Sequence, residues 1–471
     1  MNRPGSLQGK ISRRGLLAGA ALGGFFGLLG RPAAEAQSTN PWAVSKAAPT
    51  PWRNWSGGLV AHPAGRFSPA TESELVDFLS STRGPIRPVG SGHSFSPLVP
   101  TDGQLIVIDQ LAGLLAHDRD RLTATFGAGT RLSDMGQPLT EVGQAMLNLP
   151  DIDRQTLAGA TATATHGTGI DFTCLSGFVS QLRLITPQGE VLDVAPDSHP
   201  ALFNAARVSL GALGLVTRMT LQNRTVYKLK SRNWVQRTED VLQDFDTSAA
   251  AHRHFEMFPL THADYALVLA IDETDEAINN PPPDPEQEAA TANALGAIAA
   301  LPPAQRRVQL NALAEQIEPT EQVDWSYRIL SNIRNSRFNE MEYSVPLHAG
   351  ADCLREILAT ITRLEVDVSM PLEYRYVSRD DTWLGMSSGD EDHAAISIHR
   401  RAGEDYRPYF DLIEPIFWKY QGRPHWGKIH SLRSAELREL YPHFEEFQAV
   451  RRQLDPDGRL LNPHLRELFE G

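Results

Sequence analysis

Three glycine-rich segments and a few charged pairs are the parts of this sequence that could do chemistry. The run Pro88-Val89-Gly90-Ser91-Gly92-His93-Ser94 alternates glycine with small hydroxyl residues after a β-prone stretch. Such a turn lets backbone N–H groups close on an anionic group such as a pyrophosphate, an approach a Cβ would block. It is not a G-x-G-x-x-G dinucleotide turn, because His93 follows directly and the long helix after a third glycine is missing; nor is it a P-loop, because no Gly-Lys-Ser/Thr occurs. The second segment, Leu157 to Gly169, has one large apolar side chain in thirteen residues, so it cannot fill a core. It can bring backbone amides and threonine hydroxyls against an extended polar ligand. The third, Ser209 to Val216, places Gly211 and Gly214 where a chain enters a strand beside something bulky. Three such segments in one unit argue for one large ligand. Further on, alternation along a strand puts Glu373 and Arg375 on one face, and Ser397 and His399 on one face. Glu373 and Arg375 are either a structural ion pair across a sheet or a pair that works on a substrate.

These residues need elements to position them. Thr71-Glu72-Ser73-Glu74 has capping-box spacing before apolar Leu75, Val76, Phe78 and Leu79, which predicts a helix. Strands are predicted at 85–89, 105–108, 122–126, 179–185, 191–194 and 215–221, with an amphipathic helix over 132–142. Residues 65–225 therefore form one α/β unit, preceded by an extended lead-in over 37–64. From 226 to 425 longer helices alternate with strands at 266–271, 341–345, 373–377 and 394–398. Asn280-Pro281-Pro282-Pro283-Asp284-Pro285 is a surface connection into a helical stretch reaching about Glu318. A compact segment, 426–471, closes the chain.

Composition limits the partners. The 471 residues carry 44 Lys and Arg against 57 Asp and Glu, a formal charge of −13, so nothing favours nucleic acid. Cys174 and Cys353, the only two cysteines, make neither a disulfide framework nor a zinc site, and no metal is expected. Ser12-Arg13-Arg14, an apolar run from Leu16 to Leu29 and Ala34-Glu35-Ala36 have the order of a secretory signal peptide, so residues 1–36 are set outside the fold. An N-terminal membrane anchor is the alternative, although the run is shorter than the roughly 20 residues of a spanning helix. Arg13-Arg14 resembles the twin-arginine signal, with Ala18 in place of its usual lysine. That implies export of a folded protein by the twin-arginine machinery, a periplasmic or secreted location and no stable membrane insertion after cleavage.

Val89-Gly90-Ser91-Gly92-His93-Ser94, Ala164-Thr165-His166-Gly167-Thr168-Gly169 and His425-Trp426-Gly427-Lys428 together resemble the signatures of the vanillyl-alcohol-oxidase flavoprotein superfamily. The aldonolactone oxidase group, comprising gulonolactone, arabinonolactone and alditol oxidases, is the most similar. The resemblance covers about 65–225 and the last third of the chain. It implies an α+β protein: a two-subdomain FAD-binding α/β domain with a cap domain built on an antiparallel sheet flanked by helices. It also implies FAD as cofactor, commonly bonded through its 8α carbon to the histidine of the Gly-Ser-Gly-His turn, here His93; a histidine that only hydrogen-bonds its loop is the alternative.

Carried over position by position, the resemblance places FAD contacts at Val89, Gly90, Ser91, Gly92, His93, Ser94, Thr156, Gly159, Thr163, Ala164, Thr165, His166, Gly169 and Val216. Pro150 and Asp151 fall near the flavin C4a edge. A glycine or proline at the first of these goes with oxygen reactivity, so Pro150 implies an oxidase; Asp151 departs from the serine of alditol oxidases. Glu373, Arg375 and Lys428 match a substrate-site triad, and Ser397 and His399 stand where alditol oxidases have a histidine and a threonine, in altered order. The implied reaction is oxidation of a small-molecule sugar lactone, polyol or related secondary alcohol, with hydride passing to flavin N5 and O2 becoming H2O2. Cations would stabilise the developing alkoxide while a carboxylate orients them. A dehydrogenase of the same fold serving a cytochrome or quinone, and a non-catalytic exported carbohydrate- or flavin-binding protein, are the alternatives.

Overall fold

The computed structural model describes residues 50–280, 282, 285–332 and 336–471. The predicted leader, 1–36, lies outside them, as do Pro281, Pro283 and Asp284 of the proline connection.

The first helix, Glu72–Ser81, starts where its cap requires. Thr71 Oγ1 accepts from the Glu74 N–H at 3.1 Å, and Glu74 reaches back to the Ala70 N–H at 2.8 Å, one residue before the predicted box partner. Its buried stripe, Leu75 and Leu79, covers a parallel sheet ordered Gly65–Phe67, Gln104–Val107, Ile86–Val89. A five-stranded antiparallel sheet stands beside it, ordered Val191–Val194, Val179–Ile185, Leu215–Gln222, Thr123–Gly127, Leu114–Asp118. The helix predicted over 132–142 is instead a 3-10 turn, Leu132–Asp134, and a short helix, Gly136–Glu141. Pro138 is the reason: without an N–H it cannot continue a helix begun at 132. The lead-in is not merely extended. Trp52–Arg53 pairs with Val60–Ala61, and the hairpin leans on the first glycine turn through Trp55 N–H to the Gly92 carbonyl at 2.7 Å.

The cap is built on an eight-stranded antiparallel sheet, ordered Thr320–Trp325, Lys228–Arg237, Tyr265–Glu273, His254–Pro259, Glu373–Val377, His393–Arg401, Phe338–Pro346, Arg423–Pro424. Its two faces differ. Helices Gly350–Arg363 and Arg407–Lys419 bury Leu354, Ile357, Phe410 and Phe417 in the core that Met341, Tyr343, Tyr374, Ile396 and Ile398 join from the strands. Alternation then turns Glu340, Glu342, Glu373, Arg375, Ser397 and His399 the other way. A helical pair, Pro285–Ala299 and Pro303–Ala314, occupies the predicted insertion.

After Arg423–Pro424 the chain returns to the first unit. The Gly427 carbonyl accepts the Phe95 N–H at 2.7 Å, the Arg459 carbonyl accepts the Ile86 N–H at 2.9 Å, and buried Arg87 donates to the carbonyls of Leu210, Gly211 and Leu460. Residues 426–471 thus belong spatially to the glycine-segment unit.

Candidate active site

A single cavity runs between the two small sheets and opens against the polar face of the cap sheet. All three glycine segments line it. A Cβ on Gly90 would stand 2.1 Å from Thr156 Oγ1, the oxygen that caps helix Leu157–Ala162 by accepting from the Gly159 N–H at 3.2 Å. Gly92 has φ +69°, a conformation that allows the turn to His93 without side-chain strain. Ser91 Oγ is buried on the cavity wall with no protein partner among the described residues. A long cleft with backbone walls, threonine hydroxyls and an unsatisfied serine fits a dinucleotide cofactor.

Of the predicted contacts, Val89, Gly90, Ser91, Gly92, His93, Ser94, Pro150, Asp151, Thr156, Gly159, Thr163, Thr165, His166 and Val216 line the cavity. Ala164 and Gly169 do not. Ala164, at φ +56°, turns its methyl into the core, and Gly169 is spent on the cap junction, donating its N–H to the Tyr376 carbonyl at 3.0 Å. His93 faces the cavity with its ring stacked on Trp55, centroids 5.1 Å apart. Burial, and then the positive charges of Lys428, Arg131 and Arg154, lower its pKa to about 4, so its ring is neutral at ordinary pH.

At the other end the strand registers bring the charged side chains together. Glu340 stands opposite His399, Ser397 stands between Glu342 and Glu373, and Arg375 stands opposite Glu256. Arg375 lies 2.8 Å from Glu373 Oε1 and 3.6 Å from Glu342 Oε2, and Lys428 Nζ lies 3.9 Å from that same Glu342 oxygen while pairing closely with Glu340. Glu342 is the hub: its carboxylate also takes Ser397 Oγ–H at 2.8 Å and His166 Nε2 at 2.6 Å. Ser397 is therefore behind Glu342 and does not line the cavity, whereas Glu373, Arg375, His399 and Lys428 do.

The electrostatics follow from this geometry. Burial pushes the Glu342 carboxyl up, but His166, His425 and Arg375 more than reverse it and hold it well below the usual range. Glu340 behaves likewise, with Lys428 foremost among the neighbours that overcome burial and set it at about 2. Glu373 goes the other way: burial raises it, and Asp151 and Glu340 add to the rise against Arg375. Burial alone would lower the Arg375 pKa, yet Glu373, Glu342, Glu256 and Asp151 raise it, so the guanidinium stays charged. A fixed cation pair on buried carboxylates can stabilise a negative oxygen that develops beside it. His166, Glu342 and His425 also have ligand atoms within metal-sharing reach, but Glu342 and His166 already bond each other and His425 Nδ1 accepts the Gly427 N–H at 3.0 Å.

Sequence reasoning missed Glu340, Glu342, Phe338 and Trp55. The acids have a visible sign, since Glu340 and Glu342 alternate with Met341 and Tyr343, but the predicted strand begins at Met341, three residues after the observed start at Phe338, and leaves Glu340 outside it. Nothing local marks Trp55 as a partner of His93.

Comparison with known proteins agrees with the geometry. The family model described as D-arabinono-1,4-lactone oxidase matches residues 219–468, and that described as FAD binding domain matches 63–195. L-gulono-1,4-lactone dehydrogenase of Mycobacterium tuberculosis is 35% identical over 429 residues, 89% of this chain and 99% of that protein. Alditol oxidase of Streptomyces sp. is 28% identical and L-gulonolactone oxidase of Bos taurus 27%, each across 89% of this chain and 99% and 98% of theirs. Cholesterol oxidase from Brevibacterium sterolicum superposes with a TM-score of 0.72 at 16% identity, covering 89% of this chain and 96% of that one, a likeness of fold.

Proposed function

The chain belongs to the D-arabinono-1,4-lactone oxidase family of FAD-dependent oxidoreductases, and from that premise we propose that it oxidises a secondary hydroxyl of a sugar lactone or polyol with O2 as acceptor. The observation that carries this reading is the cation pair Arg375 and Lys428, held by Glu342, at the cap end of a cavity lined by all three glycine segments. The three glycine segments would hold FAD, which when bound would supply the hydride acceptor and a path for the two electrons to O2, giving H2O2. The protein residues do the rest. Arg375 and Lys428 stabilise the substrate oxygen as its proton leaves, Glu373 holds Arg375 in place, and His399 meets the hydroxyl. Pro150, at the position where the superfamily resemblance links proline with oxygen reactivity, supports the oxidase.

His93 is the residue for a covalent link to the flavin 8α carbon. Its neutral, cavity-facing ring supports that assignment, and the bond would keep the cofactor in place outside a cell. Export through the twin-arginine route to the periplasm or beyond rests on Arg13-Arg14 and the apolar run after them. A second reading, a dehydrogenase passing electrons to a cytochrome or quinone, is favoured by the name of the Mycobacterium tuberculosis relative.

The test is the visible spectrum of the purified protein during titration with lactones and polyols, without and then with air. Bleaching followed by reoxidation and peroxide release is expected. Bleaching that air does not reverse selects the dehydrogenase, and no bleaching by any neutral lactone or polyol refutes the reading. Flavin that stays with the acid-precipitated pellet establishes the covalent link.

A further inference from the structure

The cavity wall contains a buried carboxylate to which the family signatures give no role. Glu340 is 3% exposed and sits on strand Phe338–Pro346, next to last in the cap sheet. Burying a charge there is costly unless its partners repay it. Glu340 has two, from different parts of the chain, and both line the substrate end: Lys428 Nζ, in close contact with Oε2, and His399 Nε2, 3.6 Å from Oε1. Its other charged neighbours are Glu342 on its own strand and Glu373 across the His393–Arg401 strand.

The hydrogen bonds of His399 decide what that second contact does. Nδ1 lies 3.0 Å from the Pro371 carbonyl, which only accepts, so Nδ1 carries the proton. In the neutral ring the Nε2 lone pair then faces the cavity and Glu340. The 3.6 Å gap is too long for a hydrogen bond. A proton arriving on Nε2 would turn this gap into a charge-assisted bond. Phe338 packs edge-on to the same imidazole, centroids 5.3 Å apart, and limits its rotation.

We propose that Glu340 is a positioning residue for the oxidation, fixing Lys428 beside the reacting oxygen and making His399 Nε2 the acceptor of the substrate hydroxyl proton. The inference rests on the alcohol-oxidising reading above. As the C–H bond breaks and its hydride leaves for the flavin, the O–H proton passes to Nε2, the C=O bond forms, and the imidazolium charge is neutralised by Glu340. The proton leaves the ring after product departs.

The experiment is rapid-mixing anaerobic reduction of the flavin-loaded protein by a substrate identified in the titration above. Glu340→Gln keeps shape but removes charge, so the limiting rate of flavin reduction should fall roughly a hundredfold, the scale of losing a positioned proton acceptor. The apparent substrate dissociation constant should stay within about threefold, a split that general loosening of the site would not produce. Glu340→Gln combined with His399→Asn should be slower than His399→Asn alone by much less than the roughly hundredfold that Glu340→Gln costs in the wild type, the remainder being its hold on Lys428. A Glu340→Gln rate within about threefold of wild type, or a double variant slowed by the product of the two single effects, overturns the inference while leaving the oxidase reading intact. If Glu340→Gln does not hold flavin, His399→Asn decides alone, and a limiting rate within about threefold of wild type overturns the proposal. A wild type that no lactone or polyol reduces overturns the functional reading and this inference with it.

Discussion

Replacing Lys428 by methionine preserves most of the side-chain volume and removes one charge, so the consequence can be worked from the contacts. The ammonium is 3.9 Å from Glu342 Oε2, a separation worth about 4 kcal/mol at an effective dielectric of 20, and it pairs more closely still with Glu340. The same charge is what the reacting oxygen would meet, and losing one such donor costs roughly 3–4 kcal/mol of transition-state stabilisation, or a hundredfold to a thousandfold in rate. Lys428→Met should therefore keep the flavin spectrum and reduce the anaerobic flavin-reduction rate at least about a hundredfold. Stability supplies an independent check with a definite sign. Glu340 has a folded pKa near 2 against an ordinary 4.5, so it adds stability above about pH 4.5 that is lost as pH falls toward 2. Burial opposes that shift and Lys428 is the leading charge that favours it. Without the ammonium the contribution shrinks or reverses, so the Tm difference between variant and wild type should be widest near pH 7 and narrow toward pH 3. A reduction rate within about threefold of wild type, or a Tm difference independent of pH, would refute the role assigned to this charge.

The remaining predictions concern the cofactor and the substrate. His93→Ala should release its flavin on acid precipitation and regain turnover with added FAD; irrecoverable activity would mean that the ring does more than tether. Because burial and three cations hold His93 near pKa 4, covalent attachment should proceed at pH 5.5 about as fast as at pH 7.5, whereas a sharp loss below pH 6.5 would show an ordinary imidazole. Gly90→Ala forces Thr156 to move from a 2.1 Å clash, which should cost roughly 1–3 kcal/mol and weaken flavin retention; unchanged Tm and flavin content would contradict the close approach. The substrate end gathers Glu340, Glu342 and Glu373 with Asp151 at its wall, so a neutral lactone should reduce the flavin far faster than the carboxylate made by hydrolysing it. Equal rates would sink that argument.

What the sequence disclosed, it disclosed where the cause is local. Gly92 is required by the φ of its own turn, and Val179–Ile185 and Glu373–Val377 follow from their own alternation. The capping threonine at 71 located its helix to the residue. Failures came where a distant element decides. An acid on an apolar strand ordinarily faces water; Glu340 and Glu342 do not, because a second unit covers that face of the sheet. Ser397 and His399 do share a side of their strand, yet only His399 reaches the cavity, since Glu342 on the neighbouring strand stands in front of the serine. Trp55 lies in the extended lead-in, and no local pattern reveals its role because its stacking partner is 38 positions later in the chain.

The return of residues 426–471 to the first unit has a consequence for biosynthesis. The ribosome makes the two small sheets first, but Arg87 lacks one of its three carbonyl partners, and Ile86 the partner of its backbone N–H, until Leu460 and Arg459 emerge after the whole cap. At about 5–20 residues per second the interval is on the order of ten seconds to a minute. During it the nascent cofactor cleft is open along the edge that Gly427 will close against Phe95. The cleft is complete only once the last residues have emerged, so flavin loading is expected to follow release of the chain. If the leader is used for export, a translocon that threads the chain during synthesis would carry away an apoprotein, while one that waits for release would find the holoenzyme ready to travel.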